Sequence, residues 1–190
     1  LRDAERRGDL PGAVARTAGQ GFSDVGPDHP HIDGITYVDV EAITSGCGGW
    51  AYCPDRDVTR GQMATFLTKA LGLPAGGDAG FSDVRGHTHE AGIRAVVAAG
   101  IARGVEDDRF APDAPVRRDQ MASFLNAALD LPAGETTFGD VSADSVHRAA
   151  ISAVADAGIT LGIGDGNFGP ALPVSRAQMA TFLLRATETR

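Results

Sequence analysis

The amino-acid sequence of 190 residues repeats itself three times with a period of 58 residues. Such a repeat constrains the fold strongly, because each unit needs its neighbours to bury its apolar face. At the start of the units, Phe-Ser-Asp-Val at 22–25 matches the same residues at 81–84 and Phe-Gly-Asp-Val at 138–141, at steps of 59 and 57 because the second unit is one residue shorter there. The identical triplets are Ile43/Ile101/Ile159, Gly46/Gly104/Gly162, Pro54/Pro112/Pro170, Val58/Val116/Val174, Arg60/Arg118/Arg176, Gln62/Gln120/Gln178, Met63/Met121/Met179 and Phe66/Phe124/Phe182.

Three units follow from this alignment, at residues 22–71, 81–129 and 138–187. Apolar residues at helical spacing open each unit, and an amphipathic Met/Phe/Leu stripe closes it. We therefore predict an all-α protein of three helix-loop-helix repeats of about 58 residues, packed as one pseudo-threefold bundle. Residues 1–21 read as an N-terminal tail and linker.

The helix ends carry their own signals. Gly100 and Gly158 predict a left-handed residue at the end of the first helix of their units. The first unit has Ala42 at this position, so its sequence allows a different helix end. Thr59 and Ser175 begin capping boxes that Gln62 and Gln178 complete. The second unit has Arg117 in place of the hydroxyl, so its cap is made differently or is weaker by about 1 kcal/mol. The Met and Phe residues of this second helix are predicted to be core.

Composition excludes several classes of function. Asp and Glu number 25 against 17 Lys and Arg, so the chain has a net charge of −8. This balance argues against binding of nucleic acid or of an anionic bilayer. No apolar run approaches the roughly 18 residues of a membrane span, and no nucleotide-binding or catalytic motif is present. We predict no enzyme activity and no cofactor. Charged residues follow Leu1 at once, so we expect no secretory signal and a mature fragment or excised piece.

The repeated motifs resemble the S-layer homology family. They run in order from Phe-Ser-Asp-Val through Gly-Ile-x-x-Gly and aromatic-x-Pro to Val-Thr-Arg-x-Gln-Met-Ala-x-Phe-Leu, over about residues 22–187. The resemblance implies a helical pseudo-trimer outside the cell that anchors surface proteins to a polysaccharide attached to peptidoglycan, often pyruvylated. It also implies that inter-repeat grooves hold this glycan. The resemblance implies no cofactor, and other surface proteins are the remaining class of partner.

Carried over by position, the arginines of the resemblance are Arg60, Arg118 and Arg176. Each is predicted at the first turn of a helix, where free amides and the helix dipole favour an anion, and a guanidinium can grip a carboxylate in two parallel bonds. The alternative is that they are solvated or pair with Asp24, Asp83 and Asp140. The other candidate glycan-binding residues are Thr59, Ser175, Gln62, Gln120, Gln178, Gly46, Gly104 and Gly162.

The sequence departs from the family where a Trp commonly follows a His. Pro30, Thr88 and Val146 occupy these positions, and Gln replaces the Glu that follows the Arg in the family motif. A second hypothesis is therefore an extracellular interaction or surface-assembly module that keeps the scaffold without binding glycan. It would present the Gly46–Pro54 loop, with Trp50 as the residue that stacks on a sugar or a partner.

The cysteines and the repeated histidines are candidates for a disulfide and for metal binding. Cys47 and Cys53 bracket one loop and have no counterparts in the other units, which predicts a local disulfide and an oxidising compartment. Zinc is disfavoured because further ligands are missing. His31, His89 and His147 recur four residues before the first core Ile of each unit. We predict packing or hydrogen bonding at a helix start, with a threefold metal site as the less favoured alternative, and so no metal.

Overall fold

The computed structural model describes residues 21–189, and this part contains α-helices and no β-strand. The all-α prediction is therefore confirmed for the described residues. Each predicted unit supplies two helices joined by a loop. Residues 1–20 of the predicted N-terminal tail lie outside the described residues. The helices are α1 (Ile32–Val40), α2 (Arg60–Leu71), α3 (Glu90–Ala98), α4 (Arg118–Leu129), α5 (Arg148–Asp156) and α6 (Arg176–Glu188).

The main helix pairs form between units. Helix α2 packs on α3, α4 packs on α5, and α6 packs on α1. The first helix of each unit thus lies on the second helix of the preceding unit, and the third unit closes on the first. A closed ring of three similar junctions is the pseudo-threefold bundle that the repeat predicts. It also explains why a single unit cannot bury its own apolar faces.

Three backbone hydrogen bonds join the units at the centre of the ring. The amide of Val58 donates to the carbonyl of Val174 (2.8 Å), Val116 donates to Val58 (2.8 Å), and Val174 donates to Val116 (2.9 Å). Each valine is both donor and acceptor, and all three side chains are fully buried. The repeated spacing of these valines therefore places one residue of every unit at the pseudo-threefold axis.

The Phe-Ser-Asp-Val motif ties the start of each unit to its inter-helix loop. Asp24 accepts hydrogen bonds from the amides of Tyr52 (2.7 Å) and Cys53 (2.8 Å), and the rings of Phe22 and Tyr52 lie 5.0 Å apart. Burial alone would raise the pKa of this carboxyl, but the backbone donors and nearby Arg176 outweigh it, so the pKa lies below its ordinary value.

The same arrangement recurs in the other two units. Asp83 accepts from the amides of Phe110 and Ala111, and Asp140 accepts from those of Phe168 and Gly169. Because these carboxylates are used by the backbone of their own unit, they clamp the inter-helix loops. Their role as direct partners of the repeated arginines, the alternative from the sequence, is not what the hydrogen bonds show.

Ala42 ends α1 in the same conformation as the glycines of the other units. Its φ is 52°, against 71° for Gly100 and 72° for Gly158, so all three residues are left-handed. The first unit therefore has the same helix end as the others. This conformation costs a residue with a Cβ roughly 1–2 kcal/mol, a cost that the glycines avoid.

The capping boxes of α2 and α6 are confirmed, with Thr59 and Ser175 accepting from the amides of Gln62 and Gln178. Helix α4 is capped differently, as its sequence predicted. The carboxylate of Asp119 accepts from the amide of Gln120 (2.7 Å). The guanidinium of Arg117 holds Asp119 in place through two hydrogen bonds of 3.1 and 2.8 Å.

Cys47 and Cys53 form the predicted disulfide. It closes the inter-helix loop of the first unit, where the other units have no cysteine. On the loop-entropy model a loop this short contributes about 2 kcal/mol to the free energy of unfolding.

Candidate functional site

The three repeated arginines are buried at the junctions between units. Their relative exposure is 3% for Arg60 and 4% for both Arg118 and Arg176. Burial lowers the pKa of each guanidinium from its ordinary value. Solvation, one alternative from the sequence, does not describe their surroundings. Asp83, Asp140 and Asp24 lie near Arg60, Arg118 and Arg176 in turn, and their charges partly offset the lowering of the pKa. The predicted aspartates therefore act on the arginines through their charge, while their hydrogen bonds go to backbone amides.

Each arginine reaches into the loop of the next unit. The Nε of Arg60 donates to the carbonyl of Phe110 (2.7 Å), and its Nη2 donates to the carbonyl of Arg103 (2.9 Å). Its guanidinium also lies over the Phe110 ring, 4.5 Å from the centroid. Such a cation over an aromatic face is favourable when desolvated. Arg60 therefore locks the first unit to the second.

The other two junctions repeat this lock. Arg118 Nε donates to the carbonyl of Phe168 (2.8 Å) and Nη2 to Thr160 Oγ1 (3.3 Å). Arg176 Nε donates to the carbonyl of Tyr52 (2.7 Å), which joins the last unit to the first. The sequence did not reveal these acceptors, although the aromatic residue eight positions before each Arg was a repeated signal.

The amides at the helix starts are occupied by the neighbouring unit. The amides of Arg60 and Gly61 donate to the carbonyls of Ala114 and Pro112, at 2.9 and 2.8 Å. Equivalent bonds hold the first two amides of α4 and α6. The expectation that free amides at these helix starts attract an anion is therefore wrong. The physical reason is that the ring of units brings a carbonyl to each of these donors.

An open cleft of about 540 Å³ lies beside Arg60. We call it the Ala127 groove, after a residue of α4 on its wall. It is built by all three units: Arg60 comes from the first, the loop at 100–105 and α4 from the second, and His147 from the third. Its lining residues are Arg60, Gly100, Ile101, Arg103, Gly104, Val105, Gln120, Ser123, Phe124, Ala127 and His147.

The other two junctions have residues equivalent to this lining, at steps of 58 residues along the sequence. We call one set of equivalent positions the Arg185 groove: Arg118, Ile159, Gln178, Phe182, Arg185 and His31. We call the other set the Lys69 groove: Arg176, Ala42, Gln62, Phe66, Lys69 and His89. Three of the candidate residues, Arg60, Gly104 and Gln120, thus meet in one groove, while Thr59 and Ser175 serve as helix caps.

The three repeated loop glycines are required by close packing. A Cβ on Gly104 would lie 2.7 Å from the carbonyl oxygen of Arg109. A Cβ on Gly46 or Gly162 would collide with the carbonyl oxygen of Ala51 or Asn167, and both glycines have positive φ. These residues shape the loops that form the groove walls.

The repeated histidines join helices of adjacent units. His31 Nδ1 lies 2.8 Å from Thr181 Oγ1, His89 Nδ1 lies 2.9 Å from Thr65 Oγ1, and His147 Nδ1 lies 2.7 Å from Ser123 Oγ. This is the predicted hydrogen bonding at a helix start. Among residues 21–189, no group of three or more His, Cys, Asp or Glu is placed to hold a metal ion.

Stability is expected to fall as the pH drops below about 6.5. Burial first, and then the charges of His29 and Arg185, lower the pKa of His31; burial and His87 lower that of His89. The unfolded chain therefore binds protons on these histidines at a pH where the folded chain does not, and stability present above the unfolded pKa is lost. Denaturant unfolding at pH 7.5 and 5.5 measures this loss. In His31→Gln the loss is expected to be smaller, and an equal loss would contradict this assignment.

Trp50 is 42% exposed on the disulfide-closed loop. With Phe22, Ile32, Ile35 and others it lines a separate cleft of about 430 Å³ in the first unit. It does not line the Ala127 groove. The residue singled out for stacking is therefore at a different place from the repeated arginines.

Comparison with known proteins identifies the class of the repeats. The model of the S-layer homology domain matches residues 80–122 and 137–180. These segments contain the second and third predicted units up to the middle of α4 and α6. Two S-layer homology repeats are therefore present in the chain, as their motifs predicted.

The relatives include S-layer proteins, an anchoring protein and an endoglucanase. The chain is 31% identical to the S-layer protein sap of Bacillus anthracis over 177 residues, which are 88% of this chain and 21% of that protein. It is 29% identical over 131 residues to the cellulosome-anchoring protein of Acetivibrio thermocellus, covering 64% of this chain and 29% of that protein. An endoglucanase of Bacillus sp. is 29% identical over 173 residues, covering 84% of this chain and 18% of that enzyme.

The predicted location at the cell surface agrees with these relatives and is confirmed by them. The chain spans only about a fifth to under a third of the length of these curated relatives. Within residues 21–189, no helix has the length and apolarity that crossing a bilayer requires.

Proposed function

We propose that the three units form a non-catalytic anchoring module that binds a polysaccharide attached to peptidoglycan, through the grooves between repeats. The first unit, residues 22–71, would be a third S-layer homology repeat, since it makes the same axial, arginine and histidine contacts as the other two. The observation that carries the proposal is the open Ala127 groove beside the buried Arg60.

The chemistry of this groove suits an acidic sugar, such as one carrying a pyruvyl ketal. Arg60 is held by two carbonyl bonds, so its charge is fixed in place before a ligand arrives. A carboxylate would be attracted by this charge and by exposed Arg103 on the same wall.

Binding to cell walls tests this proposal. The chain is mixed with peptidoglycan sacculi from its own source, one sample keeping the covalently attached polymer and the other stripped of it with acid. We expect co-sedimentation with the untreated sacculi and its loss with the stripped sacculi. Equal binding to both, or binding to neither, would contradict a polymer-anchoring function.

The chain would be the anchoring part of a larger protein. The match to the endoglucanase covers 18% of that enzyme, which fits a small module attached to a separate catalytic part. We therefore propose that the described residues bind and do not catalyse.

A second candidate is an interaction or assembly module that presents the Gly46–Pro54 loop. It is favoured by Trp50, which is exposed on a loop stiffened by a disulfide and borders its own cleft. In that case neither sacculus sample would retain the chain. Self-association or capture of another surface protein would then be lost in Trp50→Ala.

A further inference from the structure

The three grooves differ in the presence of a long cationic side chain at one helical position. Ala127 on α4 corresponds to Lys69 on α2 and to Arg185 on α6. Lys69 Nζ donates to the carbonyl of Ala42 (3.2 Å), and Arg185 Nη1 donates to the carbonyl of Ile159 (3.3 Å). Each cation therefore crosses from its helix to the loop on the opposite wall.

The acceptors of these bonds are equivalent to residues that line the Ala127 groove. Ala42 and Ile159 correspond to Gly100 and Ile101, and both of those residues line the Ala127 groove. A long side chain that bonds at these positions occupies the equivalent space at its own junction. The methyl group of Ala127 cannot reach across, so the groove beside it stays open.

The open groove carries a different cation on its loop. Arg103 lines it and is exposed, whereas the corresponding residues are Ser45 and Leu161. The backbone carbonyl of Arg103 accepts from Arg60, so the loop that carries this side chain is anchored by the buried arginine. The Ala127 groove thus combines free space with a guanidinium on a fixed loop.

We propose that the Ala127 groove is the principal binding groove, that Ala127 determines this by leaving it open, and that Arg103 binds the carboxylate of an acidic sugar residue. Lys69 and Arg185 close the other two junctions through their bonds to the loops. This inference rests on the proposed polymer binding and adds which of the three similar junctions takes the ligand.

The test uses sacculi with their attached polymer and the full chain. Ala127→Arg places at this groove the side chain that crosses the Arg185 groove, and it is expected to weaken binding at least about tenfold. Arg103→Ala is expected to weaken it by a similar factor. The matched control is Ala149→Arg, an exposed helical alanine outside the lining residues, which is expected to bind as the parent chain does.

The double variant Lys69→Ala/Arg185→Ala tests whether these two cations close their grooves or bind the ligand themselves. We expect its binding to equal or exceed that of the parent chain, because the other grooves are opened. A loss as large as that of Ala127→Arg would overturn the inference, and so would unchanged binding by Ala127→Arg. Failure of the parent chain itself to bind would instead refute the proposed function. Thermal unfolding of each variant shows whether it is folded, and arginine at a helical surface position is well tolerated.

Discussion

Arg176→Ala is expected to lower the free energy of unfolding by about 3 kcal/mol, one of the largest effects of any single substitution in this chain. The substitution removes the hydrogen bond to the buried carbonyl of Tyr52 and the contact with the Tyr52 ring, 4.7 Å from its centroid. The carbonyl is left without this donor inside the protein, and a hydrogen bond to a charged group is worth roughly 1.5–3 kcal/mol. Because Arg176 joins the last unit to the first, its loss weakens the closure of the ring. Denaturant unfolding at neutral pH measures the change.

Arg148→Ala is the matched control for this prediction. Arg148 is also the first residue of a helix, but its side chain is exposed, so the expected change is within about 0.5 kcal/mol. Equal effects of the two substitutions would mean that Arg176 contributes only through its helix position. That result would contradict the role of Arg176 in joining the last unit to the first.

Gly34→Ala is expected to destabilise the chain by about 1–3 kcal/mol, although alanine is the better helix former by about 1 kcal/mol. Gly34 lies where α1 crosses α6, and a Cβ there would be 2.5 Å from the amide nitrogen of Thr181. No side chain can rotate away from this clash, because the contacted atoms are backbone. The two helices would have to separate, which would expose core that the ring buries. The shift in the denaturation midpoint measures the cost.

Gly61→Ala provides the comparison for Gly34. A Cβ on Gly61 would meet its nearest atoms at 3.1 Å, and the third unit carries Ala177 at the equivalent helical position without disruption. We expect this substitution to change stability by less than about 0.5 kcal/mol. If Gly34→Ala proved equally neutral, the close approach of α1 and α6 would not limit the packing.

The burial of the arginines changes how ligand binding should be tested. Alanine at Arg60, Arg118 or Arg176 removes a bond between units as well as a candidate contact with the glycan. Loss of wall binding in such a variant would follow from either cause. Arg103 and Ala127 are exposed, so substitutions there probe the groove while leaving the junction bonds in place.

The sequence alone determined the features that are local or repeated. The period of 58 residues defined the units and predicted their pseudo-threefold packing, because similar units make similar junctions. Helix stripes and the capping residues Thr59 and Ser175 predicted α2 and α6, and the unmatched Cys47 and Cys53 predicted their own disulfide. All of these depend on residues a few positions apart or on the repeat itself.

Only the tertiary structure decided the partners of the arginines and the difference between the grooves. Arg60 and its acceptor Phe110 are 50 residues apart, and the sequence contains no spacing rule for a bond to a backbone carbonyl. The carbonyls that occupy the helix-start amides also arrive from another unit. Ala127 stands where the other units have a long cationic side chain. The effect of this difference on the groove depends on the loop across from it, which only the tertiary structure shows. Contacts between units are set by how the ring closes, and that closure is a property of the whole packed chain.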